Sequence, residues 1–204
     1  MSMGSQTEIA PRRIPTQERG EQRVAGLLEA AAAIFSEVGY EAATMRDIAE
    51  RAGASIGSLY QFFPNKEVVA RAIKTRYCQE LKEVWANLVA VSAKTPTIRL
   101  IDQFLNVTIK LSEQHPAIIR LIDAPSSANP ATDIKESLRE QLVELFLTRK
   151  PRMSPNKAHR YAEVTLQMIR GLLWLYSENE RSEREALVAE MRSALVNYLL
   201  PRLT

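Results

Sequence analysis

The residues best placed to do chemistry lie in the run TMRDIAERAGASIGSLYQFF, from Thr44 to Phe63. Ser55, Gly57, Ser58 and Gln61 share one side of a short helical pattern there, and Leu59 with Phe62 or Phe63 leans to the other. Hydroxyl and amide groups on so low a face suit hydrogen bonding to base edges, and a major groove about 12 Å wide admits such a helix. The chemistry expected is recognition of double-stranded DNA. The same pattern also describes a helical hairpin in any all-helical protein.

Such a face needs a scaffold, and the flanking residues supply one. Thr44 followed three residues on by Asp47 is a short variant of a capping box, and Met45, Ile48, Ala49 and Ala52 then recur at helical spacing. Gly53 stands where a left-handed residue must end that helix, so the next helix starts at once, at about Ser55. Upstream, Val24, Leu27, Leu28, Ala31, Phe35 and Val38 fall on one face of a first helix that ends at Gly39. Downstream, Pro64 breaks the pattern and Asn65 caps a long helix from Lys66 toward Val91, with Val69, Ile73, Tyr77, Leu81, Trp85 and Leu88 on one side.

From Arg19 to about Ile73, this ordered run, with Phe35, Gly39 and Tyr40 closing the first helix and SIGSLYQFFPNKE closing the segment, resembles the amino-terminal domain of the TetR family of one-component transcriptional repressors. The resemblance covers roughly the first third of the chain and is silent beyond about residue 80. It implies that Thr44, Tyr60 and Lys66 hold phosphates, which fix register without reading sequence. It also implies that Arg46 and the face made by Ser55, Ile56, Gly57, Ser58 and Gln61 meet base edges, with Arg46 suited to guanine and Gln61 to adenine. Ile56 and Gly57 are not hydrogen-bonding types, so apolar contact with thymine methyls is expected there.

Charge alone carries none of this. The 204 residues have a formal net charge of +3, and neither the stretch up to Arg76 nor the remainder is a basic domain. Arg12, Arg13, Arg19 and Arg23 form a local basic edge, and screening confines a charge's reach to about 8 to 10 Å, so such an edge serves phosphates whatever the total. Plain solvation explains Arg12 and Arg13 equally well.

Beyond the long fourth helix, the punctuation predicts further helices: one from Thr95-Pro96 through Ile109, one from Pro116 to before Asp123, and three more over about 133 to 149, 154 to 177 and 182 to 200. Ser182 and Glu185 read as the capping box of the last. The segment APSSANPAT, 124 to 132, reads as a loop or lid. The fold class is therefore all-α: a flexible basic arm over 1 to 16, a three-helix DNA-binding domain with a helix-turn-helix over 17 to 76, and a larger helical ligand-binding and dimerisation domain over 77 to 204.

The last two helices carry apolar residues on more than one side, Tyr161, Val164, Met168, Leu172 and Leu175 among them. Such a helix needs a second partner. A large intramolecular bundle supplies one; so does a two-fold homodimer, in which Leu172 marks the middle of the interface and Gly171 permits close approach. The resemblance also implies a homodimer.

Catalysis and cofactors find little support. His115 and His159 form no ligand pair, and Ser154 to Lys157 matches SxxK without its companion elements, so Ser154 reads as a helix cap. Cys78, the one cysteine, excludes an internal disulfide; a buried apolar filler is its plain reading and a redox sensor its rival. No enzyme activity, metal or cofactor is expected. No apolar run is long enough for a membrane span and no signal core precedes the first helix, which points to a cytoplasmic protein.

For the second domain the expected role is sensing of a small, largely apolar effector. Trp85, Phe104, Met168 and Trp174 are candidate walls, and Gln103, Asn106, His115 and Arg170 candidate anchors. Each of the eight also reads as ordinary core or satisfied surface. The functional expectation is a ligand-responsive repressor on a palindromic operator; the rival is a helical DNA-binding adaptor or nucleoid-type factor with no effector.

Overall fold

Segments with helical periodicity, divided by Gly, Pro and cap residues, fold as the spacing predicts in the computed structural model, which describes residues 16 to 122, 124 and 134 to 204. The arm with Arg12 and Arg13, and all but Ala124 of the loop expected from 124 to 132, lie outside the described residues. Among the described residues there are nine helices and no strand: α1 (Thr16–Ala42), α2 (Met45–Arg51), α3 (Ile56–Phe62), α4 (Lys66–Ser92), α5 (Thr97–Gln114), α6 (Ala117–Leu121), α7 (Ile134–Arg149), α8 (Pro155–Glu178) and α9 (Arg181–Leu203).

Two apolar cores organise these helices. In the first, Leu27, Ala31 and Phe35 of α1 pack on Ile48 and Ala49 of α2, Leu59 of α3 and Val69 of α4, all nearly or fully buried. Each large apolar side chain removed from water contributes roughly 1.5 to 3 kcal/mol, so this small unit rests mainly on its Leu, Ile, Val and Phe residues. The helical path of α1 breaks at Gly39, where φ is 78° and ψ 170°. In the second core, Tyr77, Leu81, Trp85 and Leu88 of α4 meet α5, α7, α8 and α9. The short α6 belongs to both: Ala117 and Leu121 pack in the first core and Ile118 in the second.

Three details depart from the sequence reading. The last helix begins at Arg181 with Glu180 at its cap position, so Ser182 lies inside the first turn and the Ser182–Glu185 box does not form. Ser154 occupies the cap position of α8, yet its side chain makes no capping hydrogen bond there. Leu172 is buried within its own protomer, at 1% exposure, because the face of α8 at Ala158, Ala162, Thr165, Ile169 and Leu172 is the one that packs inward.

At the far end of the second core a single guanidinium ties several helix ends. Arg149 donates to the carbonyls of Ser92 and Ala93 at 3.0 Å, to Thr97 Oγ1 at 3.0 Å, and more weakly to the Leu203 carbonyl at 3.4 Å. The carbonyls that end α4 would otherwise lack a helical partner. Arg149 closes the α4–α5 turn and anchors α9 beside it.

Candidate DNA interface and ligand cavity

The turn between α2 and α3 is built by local chemistry. Thr44 is extended (φ −120°, ψ 156°); its Oγ1 accepts from the Asp47 amide at 3.2 Å, and the Thr44 amide donates to Asp47 Oδ2 at 3.1 Å. Both halves of a capping box are thus present. At the other end Gly53 has φ 60°, its amide donates to the Glu50 carbonyl at 3.0 Å, and the Ala54 amide donates to the Ala49 carbonyl at 2.9 Å. That pair of bonds is a Schellman closure, which requires the left-handed residue that glycine supplies without strain. Ser55 then caps α3, its Oγ accepting from the Ser58 amide at 3.2 Å.

Leu59 is fully buried and Phe63, not Phe62, turns into the core, which fixes the roll of α3. The outward face carries Ser55, Ile56, Gly57, Tyr60 and Gln61, with Ser58 half-buried at its edge and Arg46 exposed on α2. Ile56 at 43% and Tyr60 at 51% exposure are large side chains left in water by this domain. Thr44 Oγ1 also donates to Asp47 Oδ2 at 2.7 Å, so its hydroxyl proton is held within the box. Lys66 Nζ donates to the carbonyls of Tyr40 at 2.7 Å and Glu41 at 3.0 Å and sits 4.5 Å from the Tyr40 ring centroid. Two of the three ammonium protons therefore tie α4 to the end of α1, and the third is available to a phosphate.

One contact that fixes α2 escaped the sequence reading. Arg51 and Glu37 form a two-pronged pair at 2.8 and 2.7 Å, and the hydrogen bond from Arg51 holds the Glu37 carboxyl below its ordinary value. Their separation by fourteen positions, across a helix break, gives no local signal.

The second domain holds a cavity of about 410 Å³. α4 contributes Tyr77, α5 Ser112, and α6 Ile118 and Ile119, with Ile122 at its C-terminal cap. The opposite wall is Ile134 and Leu138 of α7 with Gln167, Arg170, Gly171, Leu173 and Trp174 of α8. Of the eight residues singled out from sequence, the structure brings Arg170 and Trp174 to this wall. His115 stands behind it, its Nε2 2.8 Å from Glu80 Oε2 and its ring edge-on to Tyr77 at 5.5 Å. Trp85 and Phe104 pack edge to face at 5.2 Å in the second core, and Met168 packs against that core, half-buried. Asn106 is exposed. Gln103 Oε1 and Trp85 Nε1 are buried without a hydrogen-bond partner among the described residues.

Burial pushes the Tyr77 phenol well above its ordinary range, so it stays protonated and can donate. Lys74 is 3% exposed, and its Nζ donates to the Ala124 carbonyl at 2.9 Å, joining α4 to the residues that follow α6. Among the described residues no group of His, Cys, Asp and Glu could hold a metal ion, and no helix is long and apolar enough to cross a membrane.

The outer surface of α8 carries Val164 at 43%, Leu175 at 38% and Trp174 at 57% exposure. Val164, Met168, Gly171 and Leu175 stand at i, i+4, i+7 and i+11, one stripe of the helix. A side-chain carbon added at Gly171 would meet nothing within 4 Å among the described residues.

A capped helix-turn-helix on a short helical base, followed by a larger helical body with its own cavity, defines a helix-turn-helix transcriptional regulator. Residues 27–73 match the family described as bacterial regulatory proteins, tetR family, and residues 98–199 match the tetracyclin repressor-like C-terminal domain. The chain belongs to the TetR family, a family of transcriptional regulators rather than enzymes. It is 34% identical over 83 residues to the uncharacterized HTH-type transcriptional regulator YfiR of Bacillus subtilis, over 36% of this chain and 40% of that protein. It is 47% identical over 49 residues to the HTH-type transcriptional repressor KstR of Mycolicibacterium smegmatis, over 24% of each chain. The matches thus span less than half the length of either relative. The solved structure of a SmeT–triclosan complex shares the fold, with TM-score 0.64 at 21% identity over 88% of this chain and 91% of that one.

Proposed function

We propose that this protein is a ligand-responsive repressor of the cytoplasm that holds a palindromic operator as a homodimer and releases it when the cavity is filled. The observation that carries this reading is the shared ownership of two helices. α4 gives Val69 and Ala70 to the DNA-side core and Tyr77 to the cavity wall. α6 gives Ala117 and Leu121 to that core and Ile118 and Ile119, with its cap residue Ile122, to the wall. In this reading α4 is one transmitter between the two domains, and α6 is a second that the sequence did not reveal.

Packed cores shift between discrete arrangements rather than deform continuously, so a ligand that moves α6 changes the seat of α1. An effector lowers DNA affinity only by binding more tightly to a conformation whose recognition helices no longer match their half-sites. A coupling of about 1 to 3 kcal/mol changes operator affinity about 5- to 150-fold, and the operator must weaken effector binding by the same factor. That a related fold was solved with triclosan supports a small-molecule effector for this chain as well.

On the DNA side, Arg46, Ser55, Ile56, Gly57, Ser58 and Gln61 are the proposed base-reading face, and Thr44, Tyr60 and Lys66 the proposed phosphate contacts. The exposed stripe on α8, with α9 beside it, is the proposed dimer face. Selection of duplexes from a random library tests the reading. Palindromic sequences with half-sites about one helical turn apart, bound by a protein dimer, are expected. Binding without sequence selection would instead favour the adaptor or nucleoid-type factor. For the switch, Trp174 emission reports occupation, and an effector with equal affinity for free and operator-bound protein would exclude induction.

A further inference from the structure

We infer that the far end of the second domain is a second DNA-binding surface, which holds a separate duplex about 40 Å from the recognition helix, the length of α4; this rests on reading the first domain as DNA-binding. Five helix ends meet there. Arg149 of α7 reaches the carbonyls that end α4 and Thr97 at the start of α5. Lys150 Nζ donates to the Thr204 carbonyl at the end of α9 at 2.6 Å, and Arg202 of α9 lies over the ring of Tyr161 in α8 at 5.4 Å. The segments that build this end, 86 to 101, 147 to 160 and 193 to 204, contain eight Lys and Arg and no Asp or Glu, in a chain whose totals are 27 and 24. The near-neutral total hides a strongly basic surface.

Three of the eight are engaged within the protein: Arg149 and Lys150 on carbonyls, and Arg202 on the Tyr161 and Tyr198 rings. Lys94, Arg99, Arg152, Lys157 and Arg160 are exposed and make no hydrogen bond or ion pair among the described residues. The acids that flank these segments do not neutralise them. Asp102 is held by Arg192 at 2.6 Å, Glu163 by Arg139 at 3.0 Å, and Glu144 lines the α7–α8 groove about 8 Å along the helix axis from Arg149. Asp133 is bonded to Ile134, at the opposite end of α7 and roughly 22 Å from Arg149, and Asp123 to Ile122, in the cavity wall. Cations so placed repel one another and draw a polyanion. Duplex DNA carries one negative charge per about 1.7 Å of axis, and release of its counterions gives affinity without base reading. Three of the five free cations are arginines, whose planar fork matches phosphate. A membrane surface fits less well: interfacial binding uses a helix lying flat on its apolar face, whereas this end presents helix termini and, among the described large apolar side chains, exposes Val91 and Ile98 alone. Lys157 and Arg160 stand seven and four positions before Val164 on the α8 stripe, so a dimer along that stripe sets two such ends side by side.

The test uses the full chain, a bead-bound duplex chosen as the best binder from the random library, and a labelled unrelated duplex in solution. Capture of the free duplex on the beads is expected, and with five phosphates neutralised it should fall roughly 10²- to 10³-fold in affinity between about 50 and 200 mM salt. Lys94→Gln, Arg99→Gln and Arg152→Gln together, all off the α8 stripe, should leave binding to the bead-bound duplex unchanged and lower the salt slope of capture by about 2.7. Arg99→Lys with Arg152→Lys should keep most of the capture. A thermal melt checks that the triple variant folds, and the salt series and competition with the unsubstituted protein stand without it. No capture at low salt, an unchanged slope in the triple variant, or loss of its binding to the bead-bound duplex would overturn the assignment. So would phosphatidylglycerol vesicles or polyglutamate that displace the free duplex at a lower charge concentration than unlabelled duplex does, which would give the surface to a membrane or an acidic protein. Failure of the DNA reading of the first domain looks different: the bead-bound duplex would then retain neither the unsubstituted protein nor the variant.

Discussion

Adding side-chain bulk at Gly171 separates the dimer from the single-protomer bundle, because the two make opposite forecasts. Among the described residues of one protomer nothing demands a glycine: a Cβ there meets none of their atoms within 4 Å and the backbone is helical. Glycine costs a helix interior roughly 0.8 to 1.0 kcal/mol relative to alanine, so Gly171→Ala should stabilise an isolated protomer by about that amount. If α8 instead crosses its two-fold copy along Val164, Met168, Gly171 and Leu175, each added side chain meets its own mate at the crossing. Overpacking costs roughly 1 to 3 kcal/mol per site, and two-fold symmetry doubles it to about 2 to 6 kcal/mol of association free energy. At about 1.4 kcal/mol per ten-fold, the dimer should weaken by about 30-fold or more in Gly171→Leu and less in Gly171→Ala. Sedimentation velocity over a wide concentration range gives the dimer constant, and thermal melts at low and high concentration give the protomer's own stability. Gly171 also lines the cavity, so both are measured without ligand. A Gly171→Leu protein that melts higher and dimerises like the wild type would remove α8 from the interface.

The remaining predictions concern DNA, pH and the far end of the bundle. Gln61→Ala should relax preference at one base pair by about 1 to 3 kcal/mol, whereas Lys66→Ala should weaken binding to all duplexes and lower the salt slope by about 1. Because Lys66 also ties α4 to α1, its alanine variant should melt lower; a variant that melts lower with an unchanged salt slope would assign it to the tether alone. Glu37 and Glu163 are held below their ordinary value of 4.5, the first by Arg51, the second by Gln167 and then Arg139. A depressed carboxyl contributes stability above its unfolded value and loses it as pH falls, so urea midpoints should decline below about pH 4.5. The doubly substituted Glu37→Gln, Glu163→Gln protein should show a shallower decline, by a small margin because both groups are exposed; an identical acid slope would refute the linkage. Arg149→Ala should cost roughly 1.5 to 3 kcal/mol in chemical denaturation, with Arg149→Lys recovering little, since one ammonium cannot reproduce the planar fork.

Local signals made the helix-turn-helix legible. The Thr44–Asp47 box, the left-handed Gly53, the Ser55 cap and the Asn65 cap each act within five residues of chain, so their chemistry appears in sequence as spacing. The alternation of buried and exposed positions along α1 and α4 was legible for the same reason, except at Val38, which the spacing put on the inward face of α1 and which is 52% exposed beside the break at Gly39. The cavity was not. Periodicity tells whether a side chain faces inward, but a void is a contact that fails to form among several helices, and no single helix encodes it. Trp85 and Phe104 therefore looked like walls and prove to be mutual packing partners, while Ile118 and Ile119 of α6 and Ile122 at its end, which drew no functional reading from the sequence, line the space. The start of α9 was misread because Ser182 and Glu185 have the types of a capping box, although Glu180 is where the backbone enters the helix. Buried Lys74 and the multiple bonds of Arg149 rest on carbonyls about fifty positions away, beyond the reach of local pattern.

The double allegiance of α6 bears on how such chains could be recombined. A hybrid spliced after residue 76 would take α1 to α3 from one parent and the seat for α1, at Ala117 and Leu121, from the other. Its join would look clean along the sequence and would still cut through a packed interior. Exchange of reading heads between relatives should therefore succeed only where α6 travels with the head, or where the inward residues of α1 and α6 have been matched in volume. Compatibility between parents is written in those few apolar side chains rather than at the splice.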